Sequence, residues 1–306
     1  MSLDESNGQG VASPSVKAVR TDQPTRIAVI ADVHLATEAT GTWKCYHQTE
    51  TFLERAVKDI QSRDPDAVVV AGDLTKDGES YNFDRFDELV GPLEPTVTIP
   101  GNHDVPKSYV DHTVPTIEQF EARYTADGYP FCERAGGVDL LCLNSATVPD
   151  GSLQDTWGGR LSQTQLDWLG QKIRETTTSI VVLHHNLFAQ PEHDSEFGAN
   201  FQLDNSEALL GLLSEHAPVL VVSGHHHIPS LDSVNGVTEV IAPALCSYPA
   251  SYLVVDIGPQ GIEIDRIPVA TPAEKSEAYT LGTTGSDLGK RVIELAEIRL
   301  QYGPYK

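Results

Sequence analysis

The chain has 306 residues, of which 44 are acidic and 21 are basic, so its formal net charge is −23. A surface this acidic repels the phosphate backbone of nucleic acids, which argues against a nucleic-acid-binding protein. Proteins of salt-loving organisms share this composition for reasons of solubility, and the charge therefore says little about other partners. The length is enough for one large α/β domain, or two small ones, with a sizeable core.

The first 25 residues are rich in Ser, Gly and Asp and lack the apolar segment of a signal peptide, so we expect a disordered lead. No apolar run reaches the ~20 residues that a membrane span needs. The four cysteines are not spaced like a metal site, and we expect them to be reduced. They are Cys45, Cys132, Cys142 and Cys246. These features predict a cytoplasmic protein without membrane contact.

From residue 26 onward, short runs of Val, Ile and Leu alternate with longer amphipathic segments. This alternation predicts an α/β fold in which strands and helices follow one another. The first six predicted strands are 26–32, 67–73, 96–102, 138–145, 179–185 and 219–225. Three later runs are separated by turns alone and are expected to be antiparallel. They are 236–242, 251–257 and 261–267.

The domain itself is predicted to span residues 26–270, with a long polar loop at 185–203. Residues 271–284 are expected to form a linker. Residues 287–302 then form an amphipathic helix that docks either on the domain or on a second subunit, and the second alternative predicts a homo-oligomer.

Polar residues follow five of the six early strands at the point where each strand ends. They are Asp32, His34, Asp73, Asn102, His103, Asp104, His184, His185, His225, His226 and His227. In an open α/β sheet, ligands bind in the crevice beyond the carboxyl ends of the strands. Each segment alone is more often a turn or a satisfied polar pair, but chance explains the ordered set poorly. We therefore expect these carboxylate, amide and imidazole groups to converge on one metal site.

The motifs in this set resemble those of the calcineurin-like metallophosphoesterases. They are Asp32-x-His34, Gly72-Asp73, Gly101-Asn102-His103-Asp104, His184 and Gly224-His225-x-His227. The resemblance covers about residues 26–230 and is greatest to the branch that acts on cyclic nucleotides or glycerophosphodiesters. It implies two mixed β-sheets packed face to face as a sandwich and flanked by helices, with the later strands forming the second sheet.

The resemblance also implies two divalent metal ions at the strand ends. One ion would be held by Asp32, His34, Asp73 and His227, and the other by Asp73, Asn102, His184 and His225. The carboxylate of Asp73 has two oxygens and can bridge the pair. Nitrogen and oxygen ligands without thiolate suit manganese, iron or zinc. In an extended strand, His225 and His227 point to one side and His226 to the other, so His226 is not expected to be a ligand.

The implied reaction is hydrolysis of a phosphoester by a hydroxide held between the two ions. His103 would act as general acid, with Asp104 hydrogen-bonded to its other ring nitrogen. The sequence thus predicts a metal-dependent phosphodiesterase for small-molecule esters. A DNA-processing nuclease of the same superfamily is the alternative, and a non-catalytic scaffold of the same fold is a third hypothesis.

Overall fold

The structure, a computed structural model, describes residues 15–16, 19–107, 110–146, 158–189 and 202–302. Most of the expected N-terminal lead and residues 190–201 of the expected loop lie outside the described residues. The last part of the lead is packed against the domain, which corrects its expected disorder. Val19 is buried in a core cluster, and the Thr21 hydroxyl donates a hydrogen bond to the Gly137 carbonyl over 3.2 Å.

The first sheet contains six strands in the described part of the chain. In spatial order they are β1 (Ser15–Val16), β12 (Gly261–Pro268), β11 (Ser251–Gly258), β2 (Thr25–Ile30), β3 (Ala67–Ala71) and β4 (Thr96–Ile99). Strands β2, β3 and β4 are parallel to one another, whereas β11, β12 and β1 continue the sheet in antiparallel pairs. The sheet is therefore mixed.

The second sheet is also mixed, and six strands of it are described. In spatial order they are β5 (Phe131–Ala135), β6 (Val138–Cys142), β7 (Ser179–Val182), β8 (Val219–Ser223), β10 (Val237–Ile241) and β9 (Ser230–Val234). The four central strands are parallel, and β5 and β9 pair with them antiparallel at the two edges.

The two sheets pack face to face, and their inner side chains form one apolar cluster. Val29 and Val69 of the first sheet share it with Leu140, Val182 and Leu220 of the second. Near-continuous apolar strands of this kind are expected when both faces of a sheet are covered. The predicted sandwich of two mixed sheets is confirmed.

Helices cover the two outer faces. The first sheet is covered by α1 (Thr49–Arg63), α2 (Ser80–Val90), α3 (Ile117–Tyr124), α6 (Pro272–Gly285) and α7 (Asp287–Tyr302). The second sheet is covered by α4 (Gln163–Glu175) and α5 (Ser206–Ser214). A short 3-10 turn, Tyr46–Gln48, precedes α1. None of the helices in the described ranges is long and apolar enough to cross a membrane.

Two expectations about the later chain were wrong. The last two strands, β11 and β12, do not belong to the second sheet but return to the first, where β11 pairs with β2. The segment expected to be a linker forms α6, whose first turn is closed by reciprocal hydrogen bonds between Thr271 and Glu274. The buried residues of α7, Ile293 and Ala296, lie in the protein's own core cluster. The C-terminal helix therefore docks on the domain.

Candidate metal centre

The site lies where the parallel strands of both sheets end. Asp32 follows β2, Asp73 follows β3 and Asn102 follows β4, while His184 follows β7 and His225 follows β8. Five of the seven predicted ligand residues turn there into the left-handed region of backbone space. Their φ angles are 51° at Asp32, 43° at His34, 54° at Asp73, 67° at His225 and 59° at His227. Such conformations are uncommon for residues other than glycine and tend to cluster at functional sites.

One group of donors lies around the carboxylates of Asp32 and Asp73. His34 Nε2 lies 3.2 Å from Asp73 Oδ2 and 4.0 Å from Asp32 Oδ1. His227 Nε2 lies 3.3 Å from the same Asp32 oxygen. The backbone N–H of His225 donates to both Asp32 carboxyl oxygens, at 3.1 and 3.0 Å, and so fixes the orientation of that carboxylate.

A second group of donors contacts Asp73 at the same carboxyl oxygen, Oδ2. His184 Nε2 is 3.5 Å from Asp73 Oδ2 and 3.2 Å from Asn102 Oδ1. Asn102 Oδ1 is also 3.0 Å from His225 Nδ1. Asp73, His184 and His225 offer ligand atoms that lie within 4.8 Å of one another. The structure thus brings all seven predicted ligand residues together, with Asp73 common to both groups.

Hydrogen bonds on the outer side of the imidazoles orient two of them. His184 Nδ1 lies 2.8 Å from the Ala71 carbonyl oxygen, so it carries the proton and leaves Nε2 free to act as a ligand. His227 Nδ1 lies 3.0 Å from the Ser247 hydroxyl, and its Nε2 faces Asp32. Both rings therefore direct Nε2 toward the carboxylates.

Burial and charge compete in the ionisation of the cluster. Burial raises the pKa of Asp32 to about 6. Burial also opposes ionisation of Asp73, but the imidazoles of His184, His103 and His34 outweigh it and hold the pKa of Asp73 well below its usual range. Burial lowers the pKa values of His34, His225 and His227. Burial also opposes the charged form of His184, but the carboxylates of Asp73 and Asp32 outweigh it and raise the pKa of His184 to about 9. Metal ligands must be ionised carboxylates and neutral imidazoles, so Asp73, His34, His225 and His227 are biased toward these forms, whereas Asp32 and His184 are not.

His103 lies at the edge of this cluster, but its expected partner was wrong. The Asp104 carboxylate is fully buried. It accepts hydrogen bonds from the backbone N–H groups of Leu74, Thr75 and Gly101, and each of these bonds is 3.0 Å long. It therefore holds together the loops that carry Asp73 and Asn102. Burial raises the pKa of Asp104 to about 6.

The carboxylate that contacts His103 is Asp77. His103 Nδ1 lies 3.1 Å from Asp77 Oδ1 and 2.7 Å from the Lys76 carbonyl oxygen. Burial opposes ionisation of Asp77, but hydrogen bonds from His103 and Lys76 outweigh it and lower the pKa of Asp77 below its usual range. The sequence does contain this residue, in "GDLTKDG", four positions after Asp73.

The three consecutive histidines are arranged differently from the strand alternation that we expected. Strand β8 ends at Ser223, so His225 and His227 reach the site from a left-handed turn rather than from an extended strand. His226 is only 3% exposed and lines a cavity beside the site. Of the histidine pair that follows β7, His184 lies against Asp73, whereas His185 Nδ1 lies 2.9 Å from the Ser145 hydroxyl.

The cavity beside the cluster has a volume of about 160 Å³. Its floor includes Asp73, Asn102 and His103. Its walls are formed by Trp43, Lys44, Tyr46, Leu288 and Val292. No sequence motif indicated these wall residues, because they come from a loop after β2 and from the C-terminal helix.

Cys246 also lies near the cluster. Its Sγ is 3.8 Å from His227 Nδ1, the ring nitrogen that does not face Asp32. Burial raises the pKa of its thiol well above the usual range, which favours the protonated form over a thiolate ligand. All four cysteines are free thiols.

The fold and the buried set of donors define a metallophosphoesterase. The chain belongs to the calcineurin-like phosphoesterase family, whose model matches residues 25–229. A probable cyclic nucleotide phosphodiesterase of Synechococcus is 26% identical over 247 residues, which is 77% of this chain and 88% of the relative. A 3',5'-cyclic adenosine monophosphate phosphodiesterase of Haemophilus influenzae is 28% identical over 204 residues, 65% of this chain and 68% of the relative.

Among solved structures, a dimetal phosphatase from Danio rerio superposes with a TM-score of 0.61 at 15% identity, covering 81% of this chain and 98% of that one. A purple acid phosphatase from yellow lupin superposes with a TM-score of 0.56 at 14% identity, covering 80% of this chain and 52% of that one. At these identities the likeness shows the fold alone.

Proposed function

We propose that the protein is a phosphodiesterase that depends on two divalent metal ions and hydrolyses small-molecule esters, with cyclic nucleotides as the first candidates and glycerophosphodiesters as the second. The observation that carries the proposal is the position of Asp73. Its carboxylate lies within 3.5 Å of both His34 and His184, which belong to the two separate groups of donors. A carboxylate in that position can bridge two cations.

The residues fit such a pair of ions. Asp32, His34, Asp73 and His227 would hold one, and Asp73, Asn102, His184 and His225 the other. The donors are buried, and the outer nitrogens of His184 and His227 are already engaged, which leaves Nε2 of each as the ligand atom. Imidazole, amide and carboxylate groups suit manganese, iron or zinc. When bound, the ions would stabilise charge on the phosphoryl oxygens and lower the pKa of a water molecule.

His103 is proposed to donate a proton to the leaving oxygen. It lines the cavity, and contacts with Asp77 and the Lys76 carbonyl engage Nδ1, so Nε2 is the atom that can transfer the proton. The Asp77 carboxylate contacts Nδ1 and so orients the ring for this role. Asp104 is proposed to position the loops around it rather than to touch the substrate.

The size of the cavity favours a small ester over a nucleic acid. A volume of about 160 Å³ with the C-terminal helix as one wall leaves little room for a polymer. The net charge of −23 opposes binding of a polyanion as well. The names of the relatives add weight to cyclic nucleotides as substrates. Free thiols at all four cysteines are typical of a reducing compartment, and we propose the cytoplasm.

The test is a substrate screen together with metal analysis. The protein, loaded with Mn²⁺, would be assayed on bis(p-nitrophenyl) phosphate, 3',5'-cyclic AMP, a glycerophosphodiester, a phosphomonoester and DNA. We expect hydrolysis of the small diesters and close to two ions per chain. Asp73→Asn should lose at least ~1000-fold in kcat/KM, since it removes the charge shared by both metal positions. Retention of full activity by Asp73→Asn, or DNA as the best substrate, would refute the proposal.

A further inference from the structure

Lys44 is a buried lysine in the wall of the cavity. It is 6% exposed, and its Nζ lies 2.9 Å from His34 Nε2 and 3.3 Å from His34 Nδ1. The indole of Trp43 lies beside the ammonium group, 5.3 Å from Nζ to the ring centroid. Across the described ranges, no carboxylate lies within ion-pairing distance of Nζ.

A buried lysine is stabilised by a nearby negative charge. Lysines are almost never fully buried unless they are paired, because an ammonium group loses its hydration when it is removed from water. The contact with His34 brings no negative charge. The positive charge of Lys44 acts on the buried Asp32 carboxylate without a direct ion pair, and that carboxylate is itself a proposed metal ligand. A filled metal position would therefore leave the ammonium group without this compensation.

The contact with His34 also conflicts with the proposed metal site. The Nε2 atom of His34 faces Asp73 Oδ2 at 3.2 Å and is one of the proposed ligand atoms. Because both ring nitrogens of His34 lie within 3.3 Å of Nζ, the ammonium group lies over the imidazole ring rather than in line with the Nε2 lone pair. A cation coordinated at Nε2 would still lie close to the ammonium group, and the two positive charges would repel each other. With the metal position filled, Lys44 must turn away from His34. Its flexible stem allows this, and the cavity that it lines is the adjoining space.

We propose that Lys44 is a substrate-binding residue, which donates a hydrogen bond from its ammonium group to a non-bridging oxygen of the ester's phosphoryl group. The inference rests on the proposed function, since it takes a phosphoester as the occupant of the cavity. The phosphoryl group brings the negative charge that Lys44 lacks, and a lysine ammonium is a compact donor suited to phosphate. Trp43 then serves as the apolar support that holds the lysine stem at the wall.

Three variants test this assignment. Lys44→Met removes the charge and keeps much of the stem, and Lys44→Gln is a second neutral variant that serves if the first does not fold. Lys290→Met is the matched control, because it makes the same change of charge at an exposed lysine of α7. For each protein we would measure the metal content, the affinity for inorganic phosphate by calorimetry, and kcat and KM for bis(p-nitrophenyl) phosphate.

We expect the Lys44 variants to hold as many metal ions as the parent and to bind phosphate ~10- to 100-fold more weakly, the range for a lost charge-assisted hydrogen bond. KM should rise by a similar factor while kcat stays within about threefold, because Lys44 binds ground state and transition state alike. The control should match the parent throughout.

Other results would overturn the assignment. A gain of one metal ion in Lys44→Met would mean that the ammonium fills a metal position in the parent. Unchanged phosphate affinity would mean that it makes no contact with the phosphoryl group. If the parent itself hydrolyses no ester, the proposed function fails, while the calorimetric comparison still decides the role of Lys44.

Discussion

His103, the proposed general acid, is held by its contact with Asp77. Asp77 is itself held by Lys76, and the Lys76 carbonyl completes the contacts of the imidazole Nδ1. These contacts fix the orientation of the ring.

Asp77→Asn should therefore lower kcat by ~10- to 100-fold, the usual effect of removing an orienting partner. Steady-state kinetics measure this change. Asp84→Asn, which alters an exposed carboxylate on α2 paired with Arg123, is the control and should leave kcat unchanged. An unchanged kcat in Asp77→Asn would show that Asp77 takes no part in the chemistry.

At this scale the sequence was informative about ligands and poor about their neighbours. The seven predicted ligand residues follow apolar strands in short motifs, and the structure brings them together. Asp77 and Lys44 stand in loops, where the partner of a side chain depends on how the backbone folds. The left-handed turn at His225 likewise cannot be derived from an alternation rule that assumes an extended chain.

Among the elements, the C-terminal helix α7 contributes to the cavity beside the cluster. Leu288 and Val292 of α7 line this cavity together with Trp43. The helix approaches the Trp43 loop closely at Gly289, where an added Cβ would lie 2.4 Å from the Trp43 Cβ. This contact needs glycine because of space, although glycine is a poor helix former.

Gly289→Ala should accordingly lower the free energy of unfolding by ~1–3 kcal/mol, as overpacking does, and raise KM by displacing Trp43. Gly211→Ala is the contrasting variant, because a Cβ at that helical position meets nothing within 4 Å. It should be stabilised by ~0.5–1 kcal/mol through helix propensity alone. Thermal unfolding and steady-state kinetics of both variants provide the measurement, and a stabilised Gly289→Ala would contradict the packing argument.

The elements themselves were predicted unevenly. Long apolar strands such as β3 and β8 were found because burial on both faces leaves an unbroken apolar run. The edge strands β5 and β9 were missed, since each has a single buried residue and charged or hydroxyl-bearing residues interrupt its apolar pattern. Helix α6 was taken for a linker although "TPAE" at 271–274 is a capping box with proline at the first helical position.

For the molecule as a whole, the excess of acidic residues dominates the long-range electrostatic interactions. Ion pairs such as Arg26–Asp256 and Arg55–Glu274 use some of the carboxylates, but 44 acidic against 21 basic residues leave a large unpaired negative charge. Self-repulsion of this kind destabilises the compact state.

Added salt should therefore stabilise the protein. Between ~0.02 and ~0.5 M NaCl the screening length falls from roughly 20 Å to about 4 Å, and we expect the melting temperature to rise by at least about 5 °C. This range changes screening strongly while keeping preferential exclusion of salt small. A melting temperature that stays flat or falls would show that local ion pairs outweigh the net charge.

The return of β11 to the first sheet has a consequence for biosynthesis. Strand β2 carries Asp32 at its end and lies between β3 and β11, and the backbone N–H of Cys246 bonds to the Asp32 carbonyl. A nascent polypeptide that has emerged from the ribosome as far as His227 contains every predicted ligand residue, but the edge of β2 that pairs with β11 is still unpaired. The first sheet is completed only after β11 has been translated, and until then the exposed edge of β2 is open to mispairing.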